Sequence, residues 1–105
     1  MFGAFFMALA IGGAQAQSLP PPGTPQFDAV CLFGAMVGRE ADFDDPRARR
    51  ATELVHQVYD ARLRAAVPDP NDRQAMLEKA TTQLNEANIQ SVMLRCYDYL
   101  LELGY

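Results

Sequence analysis

One histidine, His56, sits in a stretch where acids and bases recur at steps of three and four: Arg49, Glu53, His56, Asp60 and Arg64. His56 with Asp60 has the residue types of a general acid–base pair. His56 with Glu53 and Asp60 would offer a metal at most three ligands. Neither constellation is completed elsewhere. The chain has a single histidine, and no residue beside it reads as an activated nucleophile. The same spacing is that of a solvated helical ridge with alternating charge. The chain is therefore read as non-enzymatic, with no metal and no cofactor.

The two cysteines, Cys31 and Cys96, are far apart in sequence. A redox-active pair is more often a local CxxC, and neither cysteine has a histidine nearby to activate its thiol. A structural disulfide is expected, which requires an oxidising compartment.

The N-terminus agrees with that. Residues 2–10 are an apolar run extended by Ile11, and Ala14-Gln15-Ala16 has the small-x-small pattern of a signal cleavage site. No Lys or Arg precedes the run, so the α-amino group, or residues upstream of Met1, would supply the usual positive charge. The run falls short of the roughly 20 apolar residues that span a bilayer. The expected organisation is a signal peptide over residues 1–16, a proline-rich linker over 17–24 and one domain over 25–105. Cleavage near Ala16 would release the chain to the periplasm or the extracellular medium, with no stable membrane span left in it.

Composition narrows the function. Half of the residues are hydrophobic and the net charge is −4, as in globular rather than disordered chains. The acidic balance argues against nucleic-acid binding, which normally needs a clustered basic excess. One local exception is Asp42, Asp44 and Asp45 followed by Arg47, Arg49 and Arg50. Acids suit a helix start, but three arginines there do not. Either the aspartates neutralise them, or a cationic patch is kept for an acidic partner or a lipid headgroup.

The elements that position these residues read as four helices. Residues 18–23 contain three consecutive prolines and are expected to be extended and solvated. Thr24-Pro25, Asp45-Pro46 and Asp69-Pro70 each pair an N-cap residue with proline at the first helical position. Helix one is predicted over 25–39, apolar on nearly all sides, with Gly34 allowing close approach of a neighbour. Helix two begins at Pro46, stops before Pro68, and is predicted to bury Ala51, Leu54, Val55, Val58, Ala61 and Ala65. Helix three is predicted to reach Leu84, burying Leu77, Ala80 and Leu84 with Met76 at the edge. Helix four is capped by Asn85 or Asn88 and ends at Gly104. Its core stripe is Ile89, Val92, Met93, Cys96, Tyr99, Leu100 and Leu103. The predicted fold is a small all-α, antiparallel up-down four-helix bundle, with Cys31–Cys96 joining the first and last helices.

On helix four, Leu94, Tyr97 and Leu101 lie beside the core stripe and widen the apolar arc to roughly 220°. Tyr105 follows the terminal glycine. Either the bundle buries this flank around a central helix four, or the flank faces a protein partner or a second copy of the chain.

In build, with its leader, four predicted helices, Cys31 and Cys96, the chain resembles the small periplasmic acid-stress chaperones. At about pH 3 most of the thirteen acidic side chains would be neutral, leaving the arginines, Lys79 and His56 charged, and that self-repulsion would loosen the helices and expose apolar surface. The cysteine separation is wider here, and Lys79 is the only lysine where those proteins are lysine-rich, so no residue role is carried over. Small periplasmic immunity proteins share the same broad build. The expected function is non-enzymatic protein binding or homodimerisation through Leu94, Tyr97, Leu101 and Tyr105. An acid-stress chaperone and a small-ligand carrier or enzyme are the alternatives.

Overall fold

The computed structural model describes residues 19–41 and 43–105; the predicted leader and Asp42 lie outside them. Four helices follow in order: α1 (Pro25–Glu40), α2 (Pro46–Ala66), α3 (Pro70–Ala80) and α4 (Ile89–Glu102). No strand occurs among the described residues.

Local chemistry starts the first three helices as predicted. Thr24 Oγ1 accepts from the Phe27 N–H at 3.2 Å, Asp45 Oδ1 from Arg47 N–H at 2.9 Å and Asp69 Oδ1 from Asn71 N–H at 2.8 Å. Each cap satisfies an N–H that has no partner inside its helix, and the proline after it has no N–H to satisfy. At the start of α4 two asparagines share the work. Asn85 Oδ1 accepts from Ala87 and Asn88 N–H at 2.8 and 2.9 Å, and Asn88 Oδ1 accepts from Asn85 N–H at 2.8 Å. Asn88 is the N-cap residue, yet its side chain braces the turn and leaves the helix's own N–H groups alone. At the other end Gly104 takes φ +99°. Tyr105 N–H then reaches Leu100 O, and Gly104 N–H reaches Leu101 O, both at 3.0 Å, the paired closure of a Schellman motif.

α1 is the helix the others pack on. It touches α2, α3 and α4, and all of Phe27 through Leu32, with Gly34 and Ala35, is buried. Contacts along it fix the helix directions. Phe27, Cys31 and Gly34 meet Tyr99, Cys96 and Met93 in turn, so α4 runs antiparallel to α1. Asp28 meets Arg62 and Gly38 meets Thr52, so α2 is antiparallel to α1 as well. The disulfide Cys31–Cys96 joins α1 to α4 with Cα atoms 5.8 Å apart, and both cysteines are fully buried. Tyr59 ties α2 to α4 by donating its hydroxyl to the Cys96 carbonyl at 2.7 Å.

Three expectations need correction. The buried face of α2 is Val55, Tyr59 and Leu63, whereas Ala61 and Ala65 are exposed and Ala51, Leu54 and Val58 are half-buried. The face is rotated by about 100° because large side chains remove far more apolar area from water than alanines do. α3 stops at Ala80, four residues early. There the Thr81 and Thr82 hydroxyls donate to the Glu78 and Lys79 carbonyls at 2.6 and 2.7 Å, a local alternative to continuing the helix. Leu103, placed in the α4 core by spacing, is 45% exposed; it sits past the helix end as the C-cap residue. The end of the linker also lies on the domain: Leu19 packs against the core, and Gly23, at φ +93°, leaves room only for the Tyr99 hydroxyl.

Gly34 is a close-approach position. A Cβ there would run into Met93 Sδ and touch Leu84 Cδ1 at 3.4 Å. Gly34→Ala is expected to be close to neutral, since a gain of about 0.8–1.0 kcal/mol in helix propensity offsets the displacement of a flexible thioether. Gly34→Leu should cost about 1–3 kcal/mol through overpacking. Thermal melts of the two variants read the difference.

Candidate functional site

The inner face of α4 is fixed from two sides, by the disulfide and by the Tyr59 hydrogen bond. Val92, Cys96 and Leu100 are buried there. Its outer face is left open. Leu94 is 64% exposed, Leu101 49% and Tyr105 59%. Tyr97, between them, is half-buried against the core. The central position belongs to α1, so the bundle has no further helix to lay over this side of α4. Arg95 and Glu102 border the face and pair at 3.2 Å. No hydrogen bond or ion pair engages Asp98 among the described residues.

His56 takes part in a clasp between helices. Arg39, near the end of α1, reaches Glu53 Oε2 at 3.0 Å with Nε and His56 Nε2 at 3.1 Å with a terminal nitrogen. A guanidinium only donates, so His56 Nε2 accepts and its lone pair is engaged. Asp60 is taken up by Arg64 one turn on, at 3.0 Å. The three residues that could have formed an acid–base or metal set are thus spread over two separate ion-pair groups. No cluster of three metal-ligating side chains occurs among the described residues.

The arginines at the start of α2 are only partly neutralised by the aspartates. Arg47 lies 3.6 Å from Asp45. Arg49 donates to the backbone carbonyls of Phe43 and Asp44, and Arg50 has no acidic partner among the described residues. Arg49 and Arg50, with Arg39, Phe43, Thr52 and Glu53, line an open cleft of about 590 Å³.

Spacing gave no sign of one buried pair. Asp28, in the first turn of α1, is 3% exposed, and Arg62 Nε of α2 donates to its Oδ1 at 3.2 Å. The Arg62 guanidinium also lies 5.7 Å from the centre of the Tyr99 ring, within cation–π range. Burial raises the Asp28 carboxyl above its ordinary range, and the hydrogen bond and charge of Arg62 only partly offset this. Burial, with the Asp28 charge nearby, also pushes the Tyr59 phenol up. Every buried side-chain polar atom among the described residues has a partner. The cluster is a closed structural joint with no group left to meet a ligand.

No helix among the described residues is long and apolar enough to cross a membrane. No family model matches the chain, and comparison with curated proteins and with solved structures gives no match.

Proposed function

We propose that the chain is an exported, non-enzymatic protein that acts by binding another protein chain through the outer face of α4. The observation that carries this reading is the pair Leu94 and Leu101, open to water on a helix whose opposite face is locked into the core, with Tyr105 exposed just past the helix end. Aliphatic and tyrosine side chains on a rigid element make a suitable anchor. The engagement of His56 in a hydrogen bond and of Glu53 and Asp60 in ion pairs favours binding over catalysis. The apolar run with Ala14-Gln15-Ala16 and the disulfide support export.

Leu94→Ala combined with Leu101→Ala is expected to weaken association roughly tenfold or more. Stability should stay within about 0.5 kcal/mol, as for other exposed substitutions. Tyr97→Ala should weaken association too but will also loosen the core, because Tyr97 is half-buried. Sedimentation of the purified protein and capture from its exported fraction read the first effect, and urea melts the second. Unchanged association in the double variant would overturn the proposal.

Acid-stress chaperone action is the second reading. All five ion pairs among the described residues join an arginine to a carboxylate, so protonation would break them and leave net positive charge. A rise in dye-binding apolar surface near about pH 3 is its expected signature.

A further inference from the structure

The pattern of residues around the open face of α4 points to one particular occupant. Leu94 and Leu101 are seven residues apart, two helical turns, so they lie on one line about 10.5 Å apart. Arg95 and Glu102 are also seven apart and border the face on one side, Arg95 half-buried and Glu102 exposed. Asp98 sits between the two sets, and its carboxylate has no hydrogen-bond partner among the described residues.

A two-fold axis perpendicular to the helix reverses its direction and keeps each flank on its own side. Placed midway between Leu94 and Leu101, it sets Leu94 against the partner's Leu101 and Leu101 against the partner's Leu94. The same operation brings Arg95 toward the partner's Glu102 and Glu102 toward the partner's Arg95. The midpoints of the two sets differ by one residue, about 1.5 Å along the helix, well within the reach of Arg and Glu side chains. Isologous contact requires this self-complementarity, whereas an unrelated partner would not. A parallel pair lacks it, because the charged flank would then meet the opposite flank, where Met93 and Tyr97 lie.

We infer that the occupant is a second copy of this chain, laid antiparallel on α4 with Leu94 against the partner's Leu101 and Arg95 against the partner's Glu102. The inference rests on the reading of α4 as a binding face and names its partner. The contact involves one helix of 14 residues, so the dimer falls in the small, weak class of interfaces and forms at high protein concentration.

Arg95→Glu and Glu102→Arg test it. Each variant alone places like charges across the axis, and each is expected to dimerise roughly tenfold more weakly than the parent protein. Mixed in equal amounts they restore opposite charges at both contacts, although within each chain the two charges remain alike. The mixture should recover dimerisation to near the parental level, and added salt should narrow the difference. Sedimentation over a concentration series gives the readout, with circular dichroism to verify helicity. If a variant loses helix, Asp98→Cys gives a second measurement: residues next to the axis should cross-link to a covalent dimer under mild oxidation. A mixture that dimerises no better than its components overturns the antiparallel arrangement. A parent protein that stays monomeric throughout the series overturns self-association altogether. In that case the broader binding reading still stands if Leu94→Ala with Leu101→Ala abolishes capture of another protein, and it falls if capture is unchanged.

Discussion

Replacing Cys31 and Cys96 together by alanine is expected to remove roughly 4 kcal/mol of stability. The bridge spans a sequence separation of 65, and in the chain-entropy account a loop of that length confines the unfolded ensemble by about this amount. Small domains have about 5–15 kcal/mol in total, so the variant should retain little of its margin. Alanine is preferred to serine because both sites are fully buried and a hydroxyl there would need a partner. Urea unfolding should show a lower midpoint and a steeper slope, since the released unfolded chain exposes more surface. An unchanged midpoint would mean that packing on α1 alone holds α4 in place. The outer face would be affected too, because the bridge is one of the two ties that orient it.

Arg62→Ala is expected to cost about 3–5 kcal/mol at neutral pH, and Asp28→Asn only about 1 kcal/mol. The asymmetry follows from burial. Removing Arg62 strands a carboxylate that is almost wholly out of water, whereas removing the Asp28 charge leaves an arginine that still reaches solvent. The pH dependence separates the two. Asp28 in the fold already titrates above the ordinary carboxylate range because burial outweighs the help from Arg62. A carboxyl with a raised folded pKa binds its proton more readily in the native state. Its contribution to stability therefore falls as pH rises through the window between the unfolded and folded values, and grows on acidification. Without Arg62 that window moves higher and widens. The Arg62→Ala variant should thus recover stability between neutral pH and about pH 4, and Asp28→Asn should not show this recovery. Urea midpoints at the two pH values read both. Equal losses in the two variants, with no recovery in acid, would show that the pair acts through packing alone. The same sign means that Asp28 is no acid trigger. An acid-opening mechanism has to come from the other pairs, Arg39–Glu53, Arg47–Asp45, Arg64–Asp60 and Arg95–Glu102.

What could be read from the sequence was local. Thr24, Asp45 and Asp69 each stand directly before a proline, and a cap is completed within three residues, so the helix starts needed no tertiary information. The disulfide was legible because only two cysteines exist and both fall on apolar helix faces. The phase of α2 was not, because counting apolar positions gives Ala61 and Ala65 the weight of Tyr59 and Leu63. The four-residue spacing of Val55, Tyr59 and Leu63, weighted by size, would have found the right face. The burial of Asp28 depends on Arg62, 34 positions away, and nothing near Asp28 signals it. For the candidate site, the sequence showed that the arc of α4 is too wide for one neighbour. Which flank stays open was decided by α1 taking the centre of the bundle, a matter of helix arrangement that periodicity does not carry.

The place of α1 at the centre has a consequence in time. Of the four described helices it is made first, and the residue that must bond to its midpoint lies 65 positions later. At about 5–20 residues per second, a ribosome takes roughly 3–13 seconds to cover that distance. Throughout that interval Phe27, Val30, Leu32 and their neighbours have no α4 to cover them. The most apolar of the four described helices is thus the first of them to emerge and the last to be enclosed. The birth order of the helices makes the half-made chain, rather than the finished bundle, the form most open to aggregation.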